Sequence, residues 1–330
     1  MALPRALTRS LDTVLDKTLV GGYSSIGPAI RRHWWPADPA PDSLIGRRVV
    51  VTGASRGLGL AVATGLARLG ATVHLVGRDL GRVQQAAATI RRDLPDAVLV
   101  PEECDLSDLD SVRDYATRTV RDVGEVHALV HNAGVMPDER TESAQGIELA
   151  LATHVVGPLL LTELLRPALA VSGDGRVVVV SSGGMYSAPL TASWVDDLQY
   201  REGQYRGIRA YARTKRLQVV MAEHLARRCD PEGIAVHSMH PGWAATEGIT
   251  DKLPWFARLT GPILRDAASG ADTMVWLAAA AEAGSTSGLF WTDRRPRPTS
   301  YLPWAQGDPA LGRRAWDVMT ALAGVDETPA

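Results

Sequence analysis

The 330-residue chain is predicted to be an α/β protein, with a doubly wound parallel sheet of about seven strands in one domain and a helical extension before it. Three observations carry this. From Arg47 onward, short apolar runs alternate with amphipathic segments, as strands alternate with helices. The runs are apolar at nearly every position, so both faces of each strand are covered. The stretch TGASRGLG, Thr52 to Gly59, places three glycines where a strand gives way to a helix. A helix N-terminus presents unpaired N–H groups and a partial positive charge, and residues without a Cβ let a pyrophosphate come close to them. Glycine also serves ordinary turns, so the rest of the chain decides the reading.

The first forty-odd residues stand outside the alternation. Leu7, Leu11, Val14 and Leu15 recur at helical spacing, which predicts an amphipathic helix packed on the body. Peripheral contact with a membrane surface, or with a partner, is the alternative. The extension is assigned to residues 1–46 and the main domain to 47–330. Strands are read in RRVVVTG, ATVHLVGR, DAVLVPEECD, EVHALVHNAG, GRVVVVSSGG and GIAVHSMHPG, with SGLFWT a weaker seventh. Helices lie between them, over roughly 57–69, 79–92, 107–122, 145–171 and 207–228. The ligand of such a sheet lies beyond the C-terminal strand ends, where the topology reverses. Gly53 to Gly59, Arg78, Asp105, Asn132 to Gly134, Ser181 and Ser182, and Pro241 with Gly242 all follow predicted strand ends. One crevice can gather them.

A net charge of −2 with dispersed basic residues argues against a nucleic-acid surface. The one basic run, DRRPRP near the C-terminus, reads as a solvated loop. Cys104 and Cys229 have no CxxC or CxxH spacing, so neither a disulfide framework nor a metal site is expected. The longest apolar stretch, Val155 to Val171, contains Pro158, Glu163, Arg166 and Pro167 and reads as a buried helix rather than a transmembrane span. The N-terminus shows no apolar signal region, and Asp12 and Asp16 disfavour a transit peptide, so a cytoplasmic protein is expected.

Tyr211 and Lys215 form a Y-x-x-x-K pair in a helical segment of a chain with only three lysines, Lys17, Lys215 and Lys252. Residues i and i+4 share a helix face, and a nearby cation lowers a tyrosine pKa from about 10 towards the range of a general acid or base. A hydroxyl from Ser181-Ser182, at the end of RVVVV, could hydrogen-bond a carbonyl oxygen beside that tyrosine.

In order along the chain stand TGxxxGxG, Asn132-Ala133-Gly134, a serine before Y-x-x-x-K, and Pro241-Gly242. Over about residues 47–292 this pattern resembles the short-chain dehydrogenase/reductase family, whose fold is of the Rossmann type. A closer resemblance, nearly end to end, is to the subgroup called dehydrogenase/reductase family member 12, carried by VVSSGGMYS, HPGWAATEGI, GADTMVWLA and DRRPRPTSYLP. The resemblance implies that Tyr211 is the catalytic acid/base. Lys215 would lower its pKa and bind the nicotinamide ribose, and Ser182, rather than Ser181, would hold the substrate carbonyl. Gly53, Ser55, Arg56, Gly57, Leu58 and Gly59 would form the pyrophosphate loop. Asp105 and Leu106 would lie by the adenine, Asn132, Ala133 and Gly134 along the cofactor, and Pro241, Gly242 and Thr246 beside the nicotinamide. Where the family usually carries an asparagine implied to hold a proton-relay water, this chain has His154. Histidine there could relay protons, titrating near pH 6.5, could be a packed polar residue, or could mark lost activity.

Arg78 ends the second strand where an NAD-binding chain more often carries an acidic residue, and Arg56 lies inside the glycine loop, so NADP(H) is expected over NAD(H). After Thr246, residues Leu253, Trp255, Phe256, Leu259 and Ile263 suggest a substrate lid over about 246–266, or else packing on the body. The expected activity is hydride transfer between NADP(H) and the carbonyl or alcohol carbon of a small, lipophilic substrate such as an aldehyde, ketone, retinoid or steroid. The alternative is an NADP(H)-binding sensor or scaffold without turnover. Dimers and tetramers are common in the family, which makes a homo-oligomer an expectation of the same kind.

Overall fold

The computed structural model describes residues 5–244, 261–301 and 307–325. Eight strands form one sheet in the order β3-β2-β1-β4-β5-β6-β7-β8. They are β1 (Arg48–Thr52), β2 (Thr72–Gly77), β3 (Leu99–Glu103), β4 (Ala128–His131), β5 (Arg176–Val180), β6 (Ala235–Met239), β7 (Phe290–Thr292) and β8 (Arg295–Arg297). All neighbouring pairs from β3 to β7 are parallel, and β8 returns antiparallel to β7. The chain winds from β1 outward to β3 and then back past β1 to β4, so the topology reverses between β1 and β4.

The sheet therefore has eight strands rather than about seven, and the added one comes from DRRPRP. Asp293 and Arg294 have φ of 52° and 54°, the two-residue turn geometry that matches the twist of a hairpin, and Arg295–Arg297 pairs back along β7. A short cationic segment interrupted by proline has no strand pattern of its own.

β4, β5 and β6 are buried at every position, which is why their sequences are mostly apolar, His131, Arg176, His237 and Ser238 being the buried polar exceptions. One face of the sheet packs against α4 (Gly57–Arg68), α5 (Leu80–Asp93) and the helix Ala267–Ala279. The other packs against α6 (Leu109–Asp122), α8 (Gly157–Val171), α10 (Gly207–Cys229) and the C-terminal helix Pro309–Ala323. Residues Leu149–Val171 are long and apolar enough to cross a membrane by length and composition, but 78% of their most apolar window is buried in the body. That segment is not one regular helix. α7 (Leu149–Leu151) leads into a π turn (Ala152–Val156) before α8.

The extension forms α1 (Arg5–Lys17), α2 (Leu19–Tyr23) and α3 (Ile26–Arg31). It docks by its polar side. Thr8 and Asp12 are buried, whereas Leu7, Leu11 and Val14, the residues whose spacing predicted a packed apolar face, are exposed. The contact is a buried ion network. Arg31, with no exposed side-chain surface, donates from Nε to Asp12 Oδ1 at 2.8 Å and from Nη1 to Gly21 O at 3.1 Å and to Asp293 Oδ2. Arg265 donates to Asp293 Oδ1 at 2.7 Å, and its Nε donates to the Tyr23 and Ser24 carbonyls at 3.1 Å. Arg297 donates to both oxygens of Asp12, at 2.7 and 3.0 Å. The basic run expected to be solvated is thus largely buried, with Arg294 held by Asp272 at 2.6 Å. Its partners lie far along the chain, Asp12 being 285 residues from Arg297, so local composition could not show them.

Candidate active site

The reversal point is where the glycine loop sits. Gly53 leaves β1 with φ of 67°, a conformation that disfavours any side chain. At Gly59 a Cβ would overlap the Gly53 carbonyl and come within 2.5 Å of Asn132 Nδ2, so helix and strand meet only because glycine is there. Thr52 Oγ1 accepts from the Asn132 and Ala133 N–H groups at 3.1 and 3.2 Å, and Asn132 Nδ2 donates to the Thr52 and Gly53 carbonyls at 3.1 and 3.2 Å. The ends of β1 and β4 are locked together, and the first turn of α4 points its N–H groups into the crevice. Ser55 and Leu58 are half-buried, Gly134 is exposed, and the Arg56 and Arg78 side chains stand exposed on the rim. Asp105 Oδ1 accepts from the Ser107 N–H and Oγ at 2.9 and 2.7 Å, and Leu106 beside it is buried. A glycine-rich cradle of N–H donors with a basic rim fits a dinucleotide phosphate.

Beyond β5 stands the acid/base group. Ser181 Oγ donates to the Lys215 carbonyl at 2.7 Å and is thereby turned into the body. Ser182 Oγ accepts from Gly184 N–H at 3.2 Å and lies close enough to the Tyr211 phenol to act on its pKa. Burial raises the phenol above its ordinary value, and the Ser182 hydroxyl lowers it in part. Lys215 Nζ lies 5.4 Å from the Tyr211 ring centroid and donates to Val180 O at 2.8 Å and to Gln218 Oε1 at 3.0 Å. Burial pushes the Lys215 ammonium down to about 7. The spacing rule is met, but the phenol is raised, because desolvation outweighs the lowering by Ser182.

His154 lies on the π turn and is fully buried. The Val135 N–H donates to its Nε2 at 2.9 Å, so Nε2 carries no proton. The proton sits on Nδ1, which donates to Thr214 Oγ1 at 2.8 Å, and Thr214 in turn donates to the Tyr211 carbonyl at 2.9 Å. Burial and the nearby Lys215 hold the imidazole well below its ordinary value. Titration near pH 6.5 is therefore corrected: a second ring proton would displace the Val135 bond in a site without water's dielectric. His154→Asn is expected to leave any acidic limb of a pH–rate profile between pH 5.5 and 7.5 in place, within about half a unit; loss of a limb in the variant would show that the ring titrates after all.

The loop after β6 reaches the same crevice. Gly242 N–H donates to His240 Nδ1 at 3.1 Å, next to Pro241. Thr246 and most of the expected lid, residues 245–260, lie outside the described residues. The segment's flanks are tied to the extension and to each other: Trp243 N–H donates to Tyr23 O at 2.7 Å, Ser25 N–H to Ile263 O at 2.9 Å, and Arg265 N–H to Trp243 O at 2.8 Å. The Tyr23 ring stacks on His240 at 4.8 Å and leaves no room for a Cβ at Gly183, the neighbour of Ser182. Sequence reasoning missed Tyr23, Thr214 and Gln218. Only Gln218 carried a signal, its i+3 spacing from Lys215.

Residues 47–193 match the family model described as short chain dehydrogenase. Human dehydrogenase/reductase SDR family member 12 is 37% identical over 280 residues, covering 84% of this chain and 86% of that protein. The chain belongs to the short-chain dehydrogenase/reductase family. Human retinol dehydrogenase 12 is 33% identical over 286 residues, covering 86% of this chain and 88% of its own length. A solved structure from Beutenbergia cavernae, assigned as an NAD(P)-dependent gluconate 5-dehydrogenase and carrying NADP at low occupancy, superposes with a TM-score of 0.61 at 26% identity over 77% of this chain and 97% of that one. This short-chain dehydrogenase/reductase is accordingly an oxidoreductase of a family that uses nicotinamide cofactors, similar nearly end to end to family member 12.

Proposed function

We propose that this short-chain dehydrogenase/reductase is an NADP(H)-dependent carbonyl reductase acting on lipophilic aldehydes or ketones. The observation that carries the reading is the convergence of Ser182, Tyr211 and Lys215 on one crevice beside the glycine cradle. The nicotinamide, when bound, supplies the hydride. Tyr211 donates the proton to the carbonyl oxygen, and Ser182 hydrogen-bonds that oxygen as negative charge develops on it. Lys215 would hold the nicotinamide ribose, with the glycine loop and the α4 N-terminus at the pyrophosphate. The aromatic ring of Tyr23 behind Gly183, and the likeness to a protein named for retinol, support a lipophilic substrate. Reduction is the favoured direction where NADPH is kept reduced.

NADPH consumption against aliphatic, aromatic, retinoid and steroid carbonyls tests the reading. Tight NADPH binding with no turnover of any of them would favour a sensor or scaffold instead. For the cofactor, Arg56→Ala and Arg78→Ala are each expected to weaken NADPH binding by about 10- to 100-fold, the loss of a charge-assisted hydrogen bond to the 2′-phosphate, with little change for NADH. Equal weakening for both dinucleotides, measured by fluorescence titration, would remove the NADP(H) preference.

A further inference from the structure

Between Lys215 and the π turn a side-chain amide fills the space. Gln218 Oε1 accepts from Lys215 Nζ at 3.0 Å, and Gln218 Nε2 donates to the His154 carbonyl at 2.9 Å. An ammonium only donates and a carbonyl only accepts, so the amide can face only this way. The partners are held in turn. Gln218 has no exposed surface, Lys215 and His154 are buried, and Val180 O takes a second proton of the ammonium at 2.8 Å. The His154 carbonyl faces Gln218 where the main chain departs from the α-helical ladder, at the π turn of Ala152–Val156. The His154 ring is fixed independently by Val135 and Thr214, so the carbonyl that anchors Gln218 does not swing.

We infer that Gln218 is a positioning residue of the reductase site: its amide bridges the Lys215 ammonium to the His154 carbonyl, occupying the path through which a water would connect that lysine to the π turn. The inference rests on the proposed reductase reading only for its kinetic test. An amide bonded in this way has no proton to pass on, because carrying one would require protonating its oxygen. Lys215 then acts by charge and by hydrogen bonds to the cofactor, and not as a link in a proton wire through His154. The titratable groups facing the ammonium among the described residues are the Tyr211 phenol on its own helix and the His154 imidazole on the π turn. β5 presents the Val180 carbonyl, with the Ser181 hydroxyl directed to the Lys215 main chain.

The test is a pair of substitutions with opposite signs. Gln218→Leu removes the acceptor, so the ammonium loses its proton more readily. The basic limb of NADPH affinity and of kcat/KM should then move down by about one pH unit. Gln218→Glu keeps an acceptor and adds a negative charge, so both limbs should move up by about the same amount. Fluorescence titration of NADPH against pH supplies the binding profile, with thermal midpoints checking that each variant is folded. A purely structural role would weaken binding without moving the two midpoints apart. Midpoints that do not move, or that move the same way in both variants, overturn the inference. If none of the three proteins reduces a carbonyl while the binding midpoints separate as stated, the reductase reading fails and the role of Gln218 stands.

Discussion

Tyr211→Phe is expected to lower kcat for carbonyl reduction by about 10²- to 10⁴-fold, the usual contribution of one positioned acid. The change removes a single oxygen and keeps the ring, so the edge-on contact with His154, 5.5 Å between centroids, and the packing of α10 remain. Lys215 keeps its bonds to Val180 and Gln218, because neither depends on the phenol. NADPH affinity should consequently change by less than about threefold, well under the cost of a lost charge-assisted hydrogen bond. Steady-state kinetics with a cofactor titration separate the two quantities. A variant that keeps more than a tenth of wild-type kcat would move the proton donor to another group, and equal losses in kcat and cofactor binding would mean that the phenol had been structural.

The second large effect lies away from the chemistry. Asp293→Ala should destabilise the fold by about 3–5 kcal/mol, the cost of leaving buried charge without its counter-ion. Asp293 is 2% exposed and accepts from two guanidinium groups, Arg31 of the extension and Arg265. Removing it leaves Arg265 without a carboxylate in an interior without water, and Arg31 with Asp12 alone. At about 2–4 °C per kcal/mol for a protein of roughly this size, the melting temperature should fall by about 6–20 °C. Asn fits the same left-handed turn position and keeps one acceptor, so Asp293→Asn should lose less. A drop of under 2 °C for Asp293→Ala in differential scanning calorimetry would show that the network is closer to neutral, as some buried ion clusters are.

The fold was legible where its physics is local. A strand buried on both faces is mostly apolar, so VVVT and RVVVV announce themselves, and the glycines of the loop mark a place where helix and strand nearly touch. Tyr211 and Lys215 were legible because four residues of helix fix their relation. What escaped depends on pairings between distant segments. Asp12 reads as the solvent side of an amphipathic helix until Arg31 and Arg297 are brought to it, and only then does the polar side become the inner one. In the same way the tautomer of His154 is set by a main-chain N–H at Val135, and the role of Gln218 by a carbonyl that a π turn directs toward it. The spacing of Gln218 from Lys215 hints at one contact, but no composition or spacing encodes the distant partners.

The placement of α1 also bears on how the molecules behave towards one another. β8 is the last strand of the sheet, and such a strand ordinarily offers its outer row of N–H and C=O groups to any passing chain. Here it is three residues long, its middle residue Pro296 has no N–H to give, and Asp12 of α1 reaches Arg295 at 3.5 Å as well as Arg297. The extension is thus a guard on the sheet's margin. A chain trimmed to begin at residue 47 would retain Ser182, Tyr211 and Lys215 but lose Asp12 from the margin and the Tyr23 ring from behind Gly183, so self-association and a loosened site would arrive together.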